Sequence, residues 1–318
     1  MQKWIASTLL SFALAAGPVW AKAPSSVANY MDNVDPSLYK ALPAKTVQTS
    51  PVAPQIIEPS RESIGPALFA HQALVIDQAD GKVLFEKNAN FAQPIASISK
   101  LMTAIVVLES GQSLDEILTI SQKDVDTIKG TRSRLKPGVR FTRGELLRLM
   151  LMASENRAAF ALARNYPGGS ERFVAAMNHR ALRMGMMNAH FADAAGLNSS
   201  NVATAQDLSR LVQAAYGYEL IRDFSTTPAV AVEGARARRV TLFKNTNRLT
   251  RDNDWQIGLS KTGFINEAGH CLVMQATIAN KSVIIVLLDS QSGNGRIDDA
   301  RQVRDWLLNK QRIYVANL

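Results

Sequence analysis

The segment LMTAIVVL, residues 101–108, would be apolar on every side of a helix. Such a helix cannot lie on a surface; it must be covered all round, most simply between a sheet and other helices. With 318 residues, 47% of them hydrophobic, the chain has the material to do so. Ser97 and Lys100 stand at the mouth of this run, three residues apart and therefore on one helix face. A serine hydroxyl is a weak nucleophile, and a lysine charge beside a buried helix is costly. The pair makes chemical sense if the amine takes the hydroxyl's proton. Position alone favours a plain N-cap serine with the lysine reaching to solvent.

The surroundings of the helix can also be read. HQALVID (71–77) and KVLFEKN (82–88) flank Asp80-Gly81 and predict a hairpin. A largely helical block follows over about 111–232. Within it, Thr142/Glu145 and Thr204/Asp207 form capping boxes, and Ser170 is placed to cap a helix whose apolar stripe is Phe173, Val174, Met177 and Leu182. Strands return at 238–245, 255–263, 270–280 and 282–290, with a tight turn at Asn280-Lys281, and a last helix runs over about 295–308. The pattern predicts an α+β fold of the α/β class. An antiparallel five-stranded sheet is built from both ends of the domain and flanked by helices, with an inserted all-helical lobe and a cleft between the two.

Upstream of the domain, Lys3, an apolar stretch from Ile5 to Ala16 and small residues at Val19 and Ala21 read as a secretory signal peptide over 1–21. Residues 22–66 hold seven of the chain's twelve prolines, at positions 24 to 66, and read as an extended arm. The domain then spans 67–310, with a tail at 311–318. The net charge of +9 is spread among 27 acidic residues, and the basic runs at 131–143 and 235–240 are short and not interleaved with Tyr and Phe as stacking platforms would be, which argues against nucleic-acid binding. Cys271, the only cysteine, reads as a small buried hydrophobe. The histidines at 71, 179, 190 and 270 show no metal-ligand spacing, so no metal or cofactor is expected, and His190 with Asp193 reads as a structural turn.

Serine-x-x-lysine occurs three times (Ser37/Lys40, Ser97/Lys100, Ser133/Lys136), as does serine-x-asparagine (Ser154/Asn156, Ser199/Asn201, Ser292/Asn294), and neither means much alone. Lys261-Thr262-Gly263 occurs once. Only Ser97/Lys100, Ser154/Asn156 and Lys261-Thr262-Gly263 fall, in that order, on a helix start, an insert loop and a sheet strand. This is the acyl-serine signature of penicillin-binding proteins and serine β-lactamases. With PIASISK, FADAAGLNSSNVATAQDL, KNTNRL and KTGFINEAGHC, the chain resembles the low-molecular-weight penicillin-binding proteins of the D-alanyl-D-alanine carboxypeptidase family over about 65–310, and within that family the endopeptidase type. The chain end soon after the last helix points the same way.

The resemblance implies a β-lactamase/transpeptidase-like fold and a set of roles. Ser97 is the nucleophile and Lys100 its base, the latter's pKa lowered by burial and by the charge of Lys261. Ser154 relays a proton, and Asn156, Lys261, Thr262 and Gly263 bind substrate. The backbone N–H groups of Ser97 and Phe264 form the oxyanion hole. It implies peptidoglycan stem peptides and cross-links as substrate, β-lactams as covalent inhibitors, a periplasmic location and other cell-wall enzymes as partners. Glu155 is expected to add a charge at the cleft rim. Ile265 stands where relatives often carry a hydroxyl, so one contact to a terminal carboxylate is expected to be lost. Between Ser170 and Ser200 no Glu-x-x-x-Asn pattern offers a deacylating glutamate, which argues against a β-lactamase. A carboxypeptidase and a catalytically idle wall-binding protein stand as the other readings.

Overall fold

The first hairpin forms where Asp80-Gly81 predicts it, with β1 at Gln72–Asp77 and β2 at Val83–Lys87. After β3 (Gln93–Pro94) comes a 3-10 turn, Ala96–Ser99, which leads straight into α1, Lys100–Glu109. β4 (Ile117–Thr119) and β5 (Arg140–Thr142) pair ahead of α2 (Arg143–Met152), α3 (Asn156–Arg164) and α4 (Gly169–Arg183). β6 (Val202–Ala203) precedes α5 (Ala205–Tyr216) and α6 (Glu219–Thr226), then the ribbon β7 (Ala229–Glu233) and β8 (Val240–Lys244). β9 (Gln256–Ile265), β10 (Gly269–Ile278), β11 (Lys281–Ser290) and α7 (Gly295–Ala316) complete the chain. The computed structural model describes residues 65–233 and 240–316, without the side chains of 311–316. The leader at 1–21, nearly all of the proline-rich arm, the Ser37/Lys40 pair and most of the basic run at 235–240 lie outside the described residues.

The large sheet has the order β2-β1-β11-β10-β9 and is antiparallel throughout. Its central strand shows why both ends of the domain are needed. Val283, Ile285 and Leu287 face one way and pack with Val75, Ile297, Ala300 and Val303, under α7. Ile284, Val286 and Leu288 face the other way and join the main core with α1 and α5. Both faces are covered, so the strand reads as a continuous apolar run rather than an alternation. In α1, Leu101, Met102, Ile105, Val106 and Val107 are all buried in the main core, as the unbroken run requires. Each such side chain contributes about 1.5–3 kcal/mol, which offsets the weak helix propensity of the β-branched Ile105-Val106-Val107.

Both predicted capping boxes are present: Thr142 with Glu145 opens α2, and Thr204 with Asp207 opens α5. Other details differ from the sequence reading. Ser170 does not cap α4; Gly168, at φ 87°, takes that place and Ser170 lies inside the first turn. The buried stripe of α4 is Phe173, Met177 and Ala181, whereas Leu182 is exposed. The inserted lobe is not all-helical, since it carries the β4–β5 pair and the β7–β8 ribbon. β8 pairs with β7 instead of the large sheet, because Phe243 is its one buried side chain, too little to fill a place in a two-sided core. The late hairpin turns at Ala279-Asn280, both at positive φ, so Lys281 already belongs to β11. The last helix runs on past Leu308, as no Gly or Pro stands there to stop it, and the expected boundary at 310 falls inside α7. Among the described residues, no helix is long and apolar enough to cross a membrane.

Candidate active site

Ser97 sits in the 3-10 turn ahead of α1, and its side chain caps no helix. The N-cap alternative therefore fails. Ala96, just before it, has φ 48°, a left-handed conformation uncommon for a residue with a Cβ. Such strain is held only where the surroundings over-determine it. Here two backbones press on the turn. A Cβ at Gly196 would lie 1.9 Å from Ala96 O, and one at Gly263 would lie 2.9 Å from Ile95 O and 3.2 Å from Ser97 N. Gly196, at φ 77°, and Gly263 are thus glycines because the 194–197 loop and β9 both lie directly on this turn.

Lys100 is fully buried. Its Nζ lies 2.8 Å from Ser97 Oγ, 2.7 Å from Asn156 Oδ1 and 2.6 Å from Ala195 O. Two of these partners can only accept, while the hydroxyl can either accept or donate. A neutral amine satisfies all three: it donates to Asn156 Oδ1 and Ala195 O and offers its lone pair to the Ser97 proton. Burial favours that neutral form and brings the pKa down to about 7, against the pull of Asp193, Glu155 and Asp126, whose charges raise it. Lys261 does not drive this shift. The mutual repulsion is felt at Lys261, pushed well below its ordinary range first by burial and then by the charges of Lys100 and Arg296.

Asn156 opens α3 and is held at both ends of its amide. Oδ1 accepts from Lys100, and Nδ2 donates to Thr131 Oγ1 at 2.8 Å. Thr131 Oγ1 in turn donates to Asp126 Oδ2 at 2.6 Å, which fixes which way the amide faces. One lone pair and one N–H of Asn156 remain for a substrate.

A second group of side chains adjoins the first. Lys261 Nζ donates to Ser154 Oγ at 2.9 Å and to Thr262 O at 2.8 Å. Ser154 is itself at φ 58°, the second strained residue of the site after Ala96. The Thr262 and Thr246 hydroxyls are 2.7 Å apart. β9 is an edge strand, so half of its backbone N–H groups face away from the sheet. Gly263 O accepts from the Arg296 guanidinium at 2.9 Å. Because a trans peptide points its C=O and N–H in opposite directions, Phe264 N–H faces away from Arg296.

Several expectations need correction. Glu155 is not a rim charge: it is buried, accepts from Ser133 Oγ at 2.6 Å and pairs with Arg134 Nε at 3.1 Å. It staples the 131–135 loop to the start of α3, and Ser133 serves that staple while Lys136 is exposed. Ile265 is buried in the main core and faces no cleft, so nothing about a terminal carboxylate follows from it. Asp193 is the structural turn that was expected, although it has a part in the site that was not. Its carboxylate collects the N–H groups of residues 195–198 and so sets the Ala195 carbonyl under Lys100. Ala195 O, Thr131, Asp126 and Thr246 were missed. Thr246 left a trace inside KNTNRL and Ala195 one inside FADAAGLNSSNVATAQDL, but neither was assigned a role.

Cys271 is buried, donates to Ala268 O and has its thiol pushed up to about 12 by burial. It is expected to resist thiol–disulfide exchange in the native protein at pH near 8 and to react fully in denaturant. Titration with a chromogenic disulfide reagent reads the difference.

The D-alanyl-D-alanine carboxypeptidase model of the serine peptidases matches residues 60–292. The chain belongs to that family. It is 46% identical over 240 residues to a D-alanyl-D-alanine endopeptidase of Pseudomonas aeruginosa, covering 76% of this chain and 77% of that protein. It is 40% identical to one of Escherichia coli, covering 81% and 84%. Among solved structures it is similar to penicillin-binding protein D2 of Listeria monocytogenes in its ampicillin-bound form, with TM-score 0.65, 30% identity and coverage of 76% of this chain and 98% of that one.

Proposed function

We propose that the chain is a periplasmic serine DD-endopeptidase, exported by the leader at 1–21, which cuts the D-alanyl–diamino acid cross-links of peptidoglycan through an acyl-enzyme on Ser97. The observation that carries the reading is the buried Lys100 amine, with two obligate acceptors and the Ser97 hydroxyl around it. Ser97 Oγ attacks the D-alanyl carbonyl as its proton passes to Lys100 Nζ. The oxyanion is held by the N–H groups of Ser97 and Phe264, each worth about 3 kcal/mol of transition-state stabilisation. Lys261 and Thr262 bind the carboxylate beside the scissile bond, while Asn156 binds the donor amide. Gly263 lets β9 approach closely enough for this geometry. The leaving amine takes its proton through Ser154, which accepts a hydrogen bond from Lys261 Nζ. Water then cleaves the Ser97 ester. The same attack on a β-lactam gives a penicilloyl ester, and the family and its ampicillin-bound relative support that chemistry. Other cell-wall enzymes are its expected companions.

Purified protein is expected to convert cross-linked muropeptide dimers to monomers and to be labelled by a fluorescent penicillin, with Ser97→Ala losing both. Release of terminal D-alanine alone, read by mass, replaces this reading with the carboxypeptidase. Seconds-scale recovery of unlabelled Ser97 replaces it with a β-lactamase. An unlabelled wild type leaves the idle wall-binding protein.

A further inference from the structure

The site is closed at its floor by bonds between the two lobes, and one further contact joins the lobes away from that floor. The loop from Asp126 to Thr131 is built around a single carboxylate. Asp126 Oδ1 accepts from Ile128 N at 2.7 Å and Lys129 N at 3.0 Å, and Oδ2 accepts from Thr131 N at 2.8 Å and Thr131 Oγ1 at 2.6 Å. These bonds order the loop and hold Lys129 two residues from Thr131, the residue that anchors Asn156. Lys129 Nζ forms an ion pair with Glu267, in the turn between β9 and β10.

The position of Glu267 gives the pair its meaning. Along β9, Lys261 and Thr262 stand where the leaving group's carboxylate binds, and Gly263 and Phe264 stand beside the Ser97 turn. The acyl donor therefore continues along the edge beyond Phe264. Ile265 lies about 7 Å past Gly263 at extended-strand rise, and Glu267 is in the turn just beyond. A donor peptide on this edge runs into the place where the pair joins the two walls. Two exposed apolar side chains, Ile128 next to Lys129 and Phe264 stacked on His270 at 4.2 Å, flank it. We propose that the Lys129–Glu267 pair is a clasp across the acyl-donor end of the cleft, selecting slender, extended stem peptides over donors that are bulky where they pass the pair. The inference rests on the acyl-serine reading. It adds a specificity determinant made of two residues that touch neither Ser97 nor Lys100.

The test compares acylation rates of the full chain by benzylpenicillin, whose side chain is slender, and by a penicillin with an ortho-disubstituted benzoyl side chain, whose bulk lies on the exocyclic amide, farther along the donor than the scissile bond. In Glu267→Gln and in Lys129→Met, the ratio of the bulky to the slender rate is expected to rise about two- to fivefold, the size an exposed ion pair supports. Raising salt should move the wild-type ratio the same way and leave the variants unmoved. The charge-swapped double variant, Lys129→Glu with Glu267→Lys, should return to the wild-type ratio. An unchanged ratio in the single variants overturns the clasp, as does a common change in both rates. If neither penicillin labels wild-type Ser97, the acyl-serine reading has failed and the clasp falls with it; labelling with an unmoved ratio removes the clasp alone.

Discussion

Lys100→Met is expected to slow acylation of Ser97 by penicillin about 10²–10⁴-fold, the range a positioned general base supplies. Methionine nearly matches the lysine stem in length and carries no charge into the core, so the fold is retained and the loss falls on chemistry. The wild-type rate should also depend on pH in a definite direction. Burial favours the neutral amine and sets the Lys100 pKa to about 7. Above that value the lone pair is available to the Ser97 proton; below it the amine is protonated and can accept nothing. The rate therefore climbs as pH rises through about 7 and levels off beyond. In Lys100→Met this limb disappears. Because the charge of Glu155 raises the Lys100 pKa, Glu155→Gln should shift the limb to lower pH. Stopped-flow acylation across the pH range reads all three. A wild-type profile flat from acid to alkaline pH would remove Lys100 from the role.

Much of this site could be read from side-chain type and order. Ser97, Lys100, Ser154, Asn156 and Lys261-Thr262-Gly263 are distinctive residues on predictable elements, and the elements were legible because capping boxes, an Asp-Gly turn and an all-round apolar run each have a local cause. The illegible parts share a different character. Ala195 contributes a carbonyl, which every residue has, so no side chain marks it. Asp126 acts on a loop two to five residues away, and its loop has no periodicity. Lys129 and Glu267 meet across 138 positions of sequence through surface residues that carry no apolar pattern. Glu155 and Ile265 were assigned to the cleft by neighbourhood in sequence, and one turn of backbone sends each inward instead. β7 was hidden in the block read as helical, and the strand at 238–245 was found without its partner, because β-branched residues favour any strand and do not say which sheet receives it.

Asp193 is where the hidden part of the site carries the most energy, and Asp193→Ala is expected to cost about 3–5 kcal/mol of stability, measured by the urea midpoint. The carboxylate is buried. Oδ1 accepts from Ala195 N and Gly196 N, both at 2.6 Å, while Oδ2 accepts from Leu197 N at 3.1 Å, Asn198 N at 2.7 Å and Asn201 Nδ2 at 3.0 Å. Alanine leaves these donors facing a cavity, and each buried donor without a partner costs about 1–3 kcal/mol; the loop relaxes to recover part of that sum. Its relaxation moves two groups the site depends on: the Ala195 carbonyl against Lys100 Nζ, and Gly196 against Ala96. Acylation should fall together with stability. Asp193→Asn separates the two effects. It keeps one acceptor oxygen for Ala195 N and Gly196 N, and it removes the charge that raises the Lys100 pKa more than either other carboxylate. The climb of its rate with pH should therefore begin at lower pH than the wild type's, a shift that a purely structural residue would not produce. A urea midpoint equal to the wild type's in Asp193→Ala would show that the 195–198 turn stands without its carboxylate and that the Ala195 carbonyl is positioned by other means.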